Sequence, residues 1–144
     1  MKTQLQSTGV FIVVILMLLF FQSCDSHRDN DERRITEVSE LKLDSVKINS
    51  DTMMVNSQQT IRTYFTLHSN CQGFYTYQYA KNGMERKVVA YYYKTDGLCD
   101  NQSKAYYTQF QFMPESTGTY EFKFWKGKDI AGNDLWIEKQ IVVN

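Results

Sequence analysis

The strongest constraint on the fold is an alternation of apolar and polar residues with a period of two, which begins at Ile35 and continues towards the C-terminus. This period places successive side chains on opposite faces of a β-strand, whereas an amphipathic helix needs apolar residues three and four positions apart. No window of a dozen residues after Ile35 has the helical spacing. Residues 35–144 are therefore predicted to form one all-β domain.

Turn signals divide this domain into seven predicted strands. The first, residues 35–48, changes its apolar phase at residues 44–45, which predicts a β-bulge there. The dipeptide Asn82-Gly83 favours a two-residue hairpin loop, with Lys81 paired to Met84. The other predicted strands are 60–68, 74–81, a return strand from residue 84, 105–112, 119–126 and 135–143.

The N-terminal segment carries an unbroken apolar run over residues 10–21, followed by Gln22, Ser23 and Cys24. The run is shorter than the roughly 20 residues that a membrane-spanning helix needs, and its length fits an export signal. The segment resembles the signal of bacterial lipoproteins, whose cysteine becomes the acylated first residue of the mature protein. The resemblance implies that residues 1–23 are a signal peptide and that Cys24 attaches the protein to a membrane.

Residues 24–34 are charged and lack apolar side chains after Cys24, which predicts a flexible tether. The acidic start of this segment, with Asp25, Asp29 and Asp31, resembles the surface-export signal of lipoproteins in Bacteroides-like bacteria. An aspartate directly after the cysteine also resembles the inner-membrane retention signal of enterobacterial lipoproteins. The inner and the outer membrane are both possible locations, and the length of the acidic run favours an outer-membrane lipoprotein exposed at the cell surface.

The most specific sign of a fold family is ESTGTYEFKF, residues 115–124. This stretch resembles the tyrosine corner of immunoglobulin-like domains, with Tyr120 as the corner ring and Phe122 in the core. Residues 124–144 resemble the closing hairpin of bacterial immunoglobulin-like modules, with Gly132 and Asn133 in its turn. The resemblance implies a seven-stranded antiparallel sandwich over residues 35–144, in which the Tyr120 hydroxyl bonds an upstream backbone group.

In such a sandwich, Cys71 and Cys99 fall in two connections at the same end of the domain. An exported protein meets an oxidising compartment, where a bridge that closes a loop of this length contributes about 3–4 kcal/mol in the chain-entropy model. A Cys71–Cys99 disulfide is therefore predicted, with two unpaired thiols as the alternative.

Motifs for catalysis and for nucleic-acid binding are missing from the sequence. There is no nucleophile elbow, zinc-protease helix, phosphate loop or zinc-binding spacing, and His68 lies in an outward phase where a solvated side chain is expected. We therefore predict a protein that is not an enzyme and that uses no metal or cofactor. Sixteen basic and sixteen acidic residues leave a net charge of zero, which argues against a nucleic-acid partner.

Aromatic residues in outward phases are the candidates for ligand binding. Trp125 and Trp136 flank the last hairpin and are predicted to form a platform for a sugar ring, and Tyr64 and Tyr107 are further candidates. The alternative is that these rings only pack across neighbouring strands. The predicted function is a lipid-anchored cell-envelope module that binds a glycan or a partner protein, or acts as a spacer. An inhibitor of a hydrolase or toxin, acting through the cysteine-bearing loops, is the alternative.

Overall fold

A computed structural model describes residues 33–144, and this part of the chain contains nine β-strands and no helix. The all-β prediction is confirmed, and no helix in the described residues could cross a membrane. The predicted signal peptide, Cys24 and most of the predicted tether lie outside these residues. The strands are β1 (Ile35–Leu41), β2 (Ser45–Ile48), β3 (Thr52–Met53), β4 (Gln59–Leu67), β5 (Gln72–Asn82), β6 (Glu85–Thr95), β7 (Lys104–Phe112), β8 (Gly118–Lys128) and β9 (Asp134–Val143).

The strands form two sheets. The smaller sheet has the order β2-β4-β7, and the larger has six strands, with β1, β6, β8, β9 and β3 in one path and β5 added to β6. All neighbours are antiparallel except the pairs β6·β8 and β3·β9, which are parallel. The prediction of a purely antiparallel arrangement is therefore wrong, because the larger sheet is mixed.

Strand β6 organises the larger sheet. One of its edges pairs along its length with β5. Its other edge is shared by two strands, because β1 pairs with residues 90–95 and β8 pairs with residues 85–88. In an immunoglobulin-like sheet the strand equivalent to β5 would lie beside β8, whereas here β6 occupies that place.

The predicted first strand is two strands in different sheets, and this split together with β3 accounts for nine strands instead of seven. Leu43 N donates to Trp125 O in the larger sheet at 3.3 Å, and Asp44 N donates to Tyr64 O in the smaller sheet at 2.8 Å. The chain thus crosses between the sheets at these residues. The phase change at residues 44–45 marks this crossing, and the predicted bulge is wrong.

The β5–β6 hairpin turns one residue later than predicted. Asn82 pairs with Glu85, so the loop is Gly83-Met84, and Lys81 does not pair with Met84. Gly83 has a φ of 55°, whereas Asn82 and Met84 have negative φ. Glycine at the first loop position is the pattern of a type II′ turn, which needs a positive φ only there.

Tyr77 and Tyr79 of this hairpin keep their predicted inward face despite the changed pairing. Tyr79 lies opposite Val88 and Tyr77 lies opposite Ala90, whereas the prediction set Tyr79 opposite Arg86. The register differs by two residues, and side chains alternate with a period of two, so these two side chains stay inward. Tyr75, predicted to lie on the same face, is 52% exposed, because the pairing shifts between Phe74 and Thr76 and Phe74 packs against the core instead.

The core lies between the inner faces of the two sheets and is rich in aromatic rings. Phe122 is fully buried, as predicted, and Tyr120 is 2% exposed. The Tyr120 hydroxyl donates to the Ser116 carbonyl oxygen at 3.2 Å, which confirms the predicted upstream backbone bond. The other large core residues include Leu43, Ile61, Phe65, Val88, Phe112, Phe124 and Ile141.

The β8–β9 loop turns the chain, as predicted for Gly132 and Asn133. Asp129 N donates to Asn133 O at 2.9 Å, and Gly132 has a φ of 87°. Asn133 donates from its side chain and its backbone to the Asp129 carboxylate, and these bonds lower the Asp129 pKa. The polar side chains of this loop are thus occupied by the turn itself.

The predicted Cys71–Cys99 disulfide is confirmed, with an S–S distance of 2.07 Å. It joins the β4–β5 connection to the β6–β7 connection. Hydrogen bonds beside the disulfide support it: Thr95 N donates to Cys71 O at 2.9 Å, and Asp100 N donates to the Asn70 side-chain oxygen at 2.9 Å.

Candidate functional site

A cavity of about 610 Å³ opens between the two sheets at the end of the molecule where β5 turns into β6. We call it the Arg86 cleft. Its walls come from β5, the start of β6, the end of β7, the β7–β8 connection and Tyr120 of β8. Its size falls in the range of small-ligand sites, which is about 300–1,000 Å³. The side chains that define it are Tyr79, Met84, Arg86, Phe110, Met113 and Tyr120.

Arg86 is the unusual member of this lining, because it is a charged residue in the inward phase of a core strand. Its side chain is only 8% exposed. Nη1 donates to the carbonyl oxygens of Gly83 at 2.6 Å and Glu85 at 2.9 Å. Nε is buried and has no hydrogen-bond partner in the described residues. An unsatisfied buried donor costs about 1–3 kcal/mol or more, so this arrangement calls for an explanation.

Aromatic rings hold the guanidinium of Arg86 in place. Its Cζ lies 4.8 Å from the centre of the Tyr120 ring, a cation–π distance. Burial raises the pKa of Tyr79, and the positive charge of Arg86 and a hydrogen bond from its guanidinium to the Tyr79 hydroxyl oppose that rise. Deeper in the cleft, Tyr77 and the fully buried Thr63 bring their hydroxyl oxygens within 2.6 Å, and burial raises the pKa of Tyr77.

The charges that line the cleft are unbalanced. Arg86 and Lys81 are cationic and Glu115 is the one anionic side chain among the lining residues. The ion pairs of residues 33–144 involve Glu85 with Lys87 and Lys123, and Lys128 with Asp134, and none includes Arg86. The cleft therefore carries one excess positive charge, half-enclosed by apolar rings, where Coulomb attraction is stronger than in bulk water.

The structure does not provide the predicted platform of two exposed tryptophans. Trp125 and Trp136 are paired across β8 and β9, as expected, and Trp136 is half-buried. Trp125, however, is only 8% exposed, and its indole Nε1 donates to Asp134 Oδ1 at 3.0 Å. Its ring therefore has too little free surface to stack on a sugar, and Lys128 binds the same Asp134 oxygen at 2.7 Å.

Tyr64 and Tyr107 lie side by side in the smaller sheet, where β4 pairs with β7. Their ring centres are 6.1 Å apart with a tilt of 42°, and Tyr107 is 62% exposed. The Arg62 guanidinium lies 5.8 Å from the Tyr107 ring centre. The structure thus joins the two tyrosines in one surface, and it places them in a different sheet from the tryptophans.

A histidine–serine pair was not anticipated from the sequence. His68 Nδ1 and Ser103 Oγ lie 2.8 Å apart, and both residues are exposed. In serine hydrolases the serine bonds Nε2 of the histidine, and a carboxylate orients the ring through Nδ1. Here the serine occupies Nδ1, so the pair lacks the orientation that activates a nucleophile. His68 lies on the surface, as predicted.

Metal-binding clusters and relatives provide no further indication of function. No group of three or more His, Cys, Asp or Glu side chains in residues 33–144 is arranged to hold a metal ion. Comparisons with models of protein families, with curated proteins and with solved structures find no significant match. The assignment of a function therefore depends on the residues of the site.

The Arg86 cleft was not predicted from the sequence. Its signal was nevertheless present, because Arg86 falls in the same phase as Val88 and Ala90, which are apolar. A charged residue in the inward phase of a strand is rare unless it is paired or functional. The facing wall, formed by the end of β7, comes from more than 20 residues away and could not be placed by local patterns.

Proposed function

We propose that this protein is a lipid-anchored cell-envelope module that binds a small ligand in the Arg86 cleft and does not catalyse a reaction. The observation that carries the proposal is a buried guanidinium with an unpartnered Nε at the wall of a 610 Å³ aromatic cavity. Pockets of this kind, largely apolar with a few polar groups, are typical of ligand sites.

The fold proposed for this module is a variant of the immunoglobulin-like sandwich. The corner bond of Tyr120 to Ser116 and the β8–β9 closing hairpin support this relationship. The variant differs in the position of the β5–β6 hairpin, because β6 instead of β5 is the neighbour of β8.

Attachment through Cys24 is supported by the sequence pattern of residues 10–24. Acylation with several chains would make membrane attachment effectively permanent, since each buried methylene contributes about 0.8 kcal/mol. Mass spectrometry of the mature protein tests this part. We expect an acylated N-terminal Cys24 in the wild type and no acylated form in Cys24→Ser. If Cys24 is acylated, fractionation of the envelope identifies the membrane. An unmodified N-terminus at another residue would refute the anchor.

Ligand binding can be tested by NMR of the full-length protein labelled at its methionine methyl groups. Met84 and Met113 line the cleft, whereas the exposed Met54 does not. The probe is 4-phenylbutanamide, a small neutral molecule with an aromatic ring. We expect saturable shifts of the Met84 and Met113 signals and none for Met54. No shift at either cleft methionine, with this amide or with the corresponding acid 4-phenylbutyrate up to their solubility limits, would refute the cleft as a binding site.

A matched variant separates the cleft from the tyrosine surface of the smaller sheet. Tyr107→Ala removes an exposed ring outside the cleft and should leave the amide titration unchanged. If a glycan array gives a signal that Tyr107→Ala abolishes, the tyrosine surface is the binding site instead. This surface is the part of the predicted glycan platform that the structure leaves open to solvent.

The inhibitor hypothesis has one favourable observation of its own. The β6–β7 connection is fastened by the disulfide and carries Leu98, which is 95% exposed. An exposed apolar residue on a braced loop is suited to insertion into the cleft of another protein. If the protein inhibits a hydrolase or toxin, and Leu98→Ser loses this inhibition while Arg86→Gln keeps it, the inhibitor function would be favoured over ligand binding.

A further inference from the structure

We infer that the ligand of the Arg86 cleft carries a single carboxylate on an apolar, preferably aromatic, body, and that the carboxylate binds the Arg86 guanidinium. This inference rests on the proposed function, because it names the class of ligand that the same cleft accepts. It assigns a role to a buried arginine that lines the cleft and forms no ion pair with a described residue.

The number of free donors favours a carboxylate. Nη1 of Arg86 is already engaged with two carbonyl oxygens and the guanidinium also bonds the Tyr79 hydroxyl, but no carboxylate in the described residues pairs with this planar cation. Planar carboxylates match the guanidinium plane and form short charge-assisted hydrogen bonds with it. The fixed position of the guanidinium, against the Tyr120 ring and two carbonyl groups, leaves little side-chain entropy to lose on binding.

The charge and the lining of the cleft indicate the net charge of the ligand and the chemical character of its body. Lys81, Arg86 and Glu115 together leave one positive charge, which one carboxylate neutralises. A dianion such as a phosphate monoester would add a second charge near Glu115 and would find few donors. The rings of Tyr79 and Phe110 and the thioethers of Met84 and Met113 fit an apolar body of adaptable shape.

The experiment compares 4-phenylbutyrate with 4-phenylbutanamide, which has nearly the same shape and no charge. Both are titrated into the full-length protein while the Met84 and Met113 methyl signals are recorded. A hydrogen bond to a charged group contributes about 1.5–3 kcal/mol, so we expect the acid to bind at least about tenfold more tightly than the amide. Equal affinities for the acid and the amide would overturn the inference and leave the cleft as an apolar binding site.

Two variants test the residues. Arg86→Gln should weaken binding of the acid about tenfold or more and leave binding of the amide unchanged. Glu115→Gln removes the one anionic group of the lining and should strengthen binding of the acid about twofold to threefold, again without an effect on the amide. An unchanged preference for the acid in Arg86→Gln would overturn the inference.

Arg86 is buried, so circular dichroism should first establish that Arg86→Gln is folded. If it is not folded, the inference is tested by the ratio of the affinities for the acid and the amide in the wild type and in Glu115→Gln. Glu115 is exposed, so its replacement removes no buried contact. If neither probe shifts the cleft methionines, the proposed function fails as well. If both probes bind equally, only the inference about the carboxylate fails.

Discussion

At one end of the β5–β6 hairpin the chain is fastened by the Cys71–Cys99 disulfide, and at the other end the Gly83-Met84 loop borders the Arg86 cleft. The fastened end has a covalent bond and several hydrogen bonds between its loops. The open end has a cavity and a buried donor without a partner. The same two strands, eleven residues each, connect both ends.

The difference separates stability from binding along one pair of strands. Cross-linking stabilises the folded state mainly by restricting the unfolded chain, wherever the bond is placed. An unsatisfied charge and a cavity reduce stability, and proteins commonly retain such features at functional sites. We therefore expect changes at the fastened end to alter stability without affecting the cleft, whereas ligand binding should depend on side chains of the open end.

The largest effect should come from removing the disulfide. Cys71→Ala combined with Cys99→Ala should lower the free energy of unfolding by about 3–4 kcal/mol. The disulfide joins cysteines that are 28 positions apart in the sequence, and opening a loop of this length gives the unfolded chain more conformational entropy. Urea denaturation followed by circular dichroism measures this. The Met84 and Met113 methyl signals should not move, and a shift of these signals would contradict the independence of the two ends.

The next largest effect is expected at Gly73, near the fastened end. A Cβ at this position would overlap Cζ and Oη of Tyr93, whose ring covers the glycine across β5 and β6. Gly73→Ala should therefore lower the free energy of unfolding by about 2 kcal/mol, because the ring must leave its position. Gly83→Ala is the control at the open end, where a Cβ meets no atom within 4 Å.

That control should cost only about 1 kcal/mol, because Gly83 has a positive φ that other residues adopt with strain. Both values can be taken from the same denaturation experiment. A loss for Gly73→Ala that is smaller than the loss for Gly83→Ala would show that the Tyr93 ring moves aside at little cost, and would contradict the predicted steric overlap.

A smaller effect is expected from Tyr120→Phe at the open end. The change removes the hydroxyl that bonds Ser116 and keeps the ring that faces the Arg86 guanidinium. The free energy of unfolding should fall by about 1 kcal/mol, the usual net value of one hydrogen bond. The affinity for 4-phenylbutyrate should be retained. A tenfold loss of that affinity would mean that the corner bond also positions Arg86.

The smallest effect concerns the alkaline range. Burial raises the Tyr79 pKa above its usual value of 10.0, and the Arg86 charge opposes this rise only in part. The unfolded chain then loses this proton at lower pH than the folded protein. The stabilisation is complete below about pH 10 and is lost as the pH rises through the raised pKa of folded Tyr79.

Urea denaturation between pH 8 and pH 11 tests this effect. Tyr79→Phe should make stability less sensitive to pH at the alkaline end, whereas Tyr107→Phe, on the exposed surface of the smaller sheet, should follow the wild type. An identical pH dependence in Tyr79→Phe and the wild type would contradict a raised pKa at this position.

Features that depend on neighbouring residues in the sequence were predictable. The period of two located most strands, and the order of residues around Gly132 and Asn133 predicted the turn because both residues suit a tight loop. The Tyr120 corner bond spans only four residues, so a local motif was sufficient to predict it.

Features that depend on distant pairing were not predictable. Two registers of the β5–β6 hairpin keep Tyr77 and Tyr79 on the inner face, so the pattern could not distinguish them. The parallel neighbours β6 and β8 are set by contacts between residues such as Val88 and Phe124, which no local signal specifies. The burial of Trp125 depends in the same way on its surroundings in the folded sheet, because its phase alone predicted an outward ring.

The shared edge of β6 also has a consequence for the order of folding. The β5–β6 hairpin is local and forms quickly, within about 1–10 μs for an isolated hairpin. Its free edge is completed only by β1, where Ile35 pairs with Thr95, and by β8, where Phe124 pairs with Val88. Such non-local pairings raise the contact order and slow folding. If the chain is exported as proposed, β1 crosses the membrane first and must wait for β6, and the larger sheet closes only after β8 and β9 have followed.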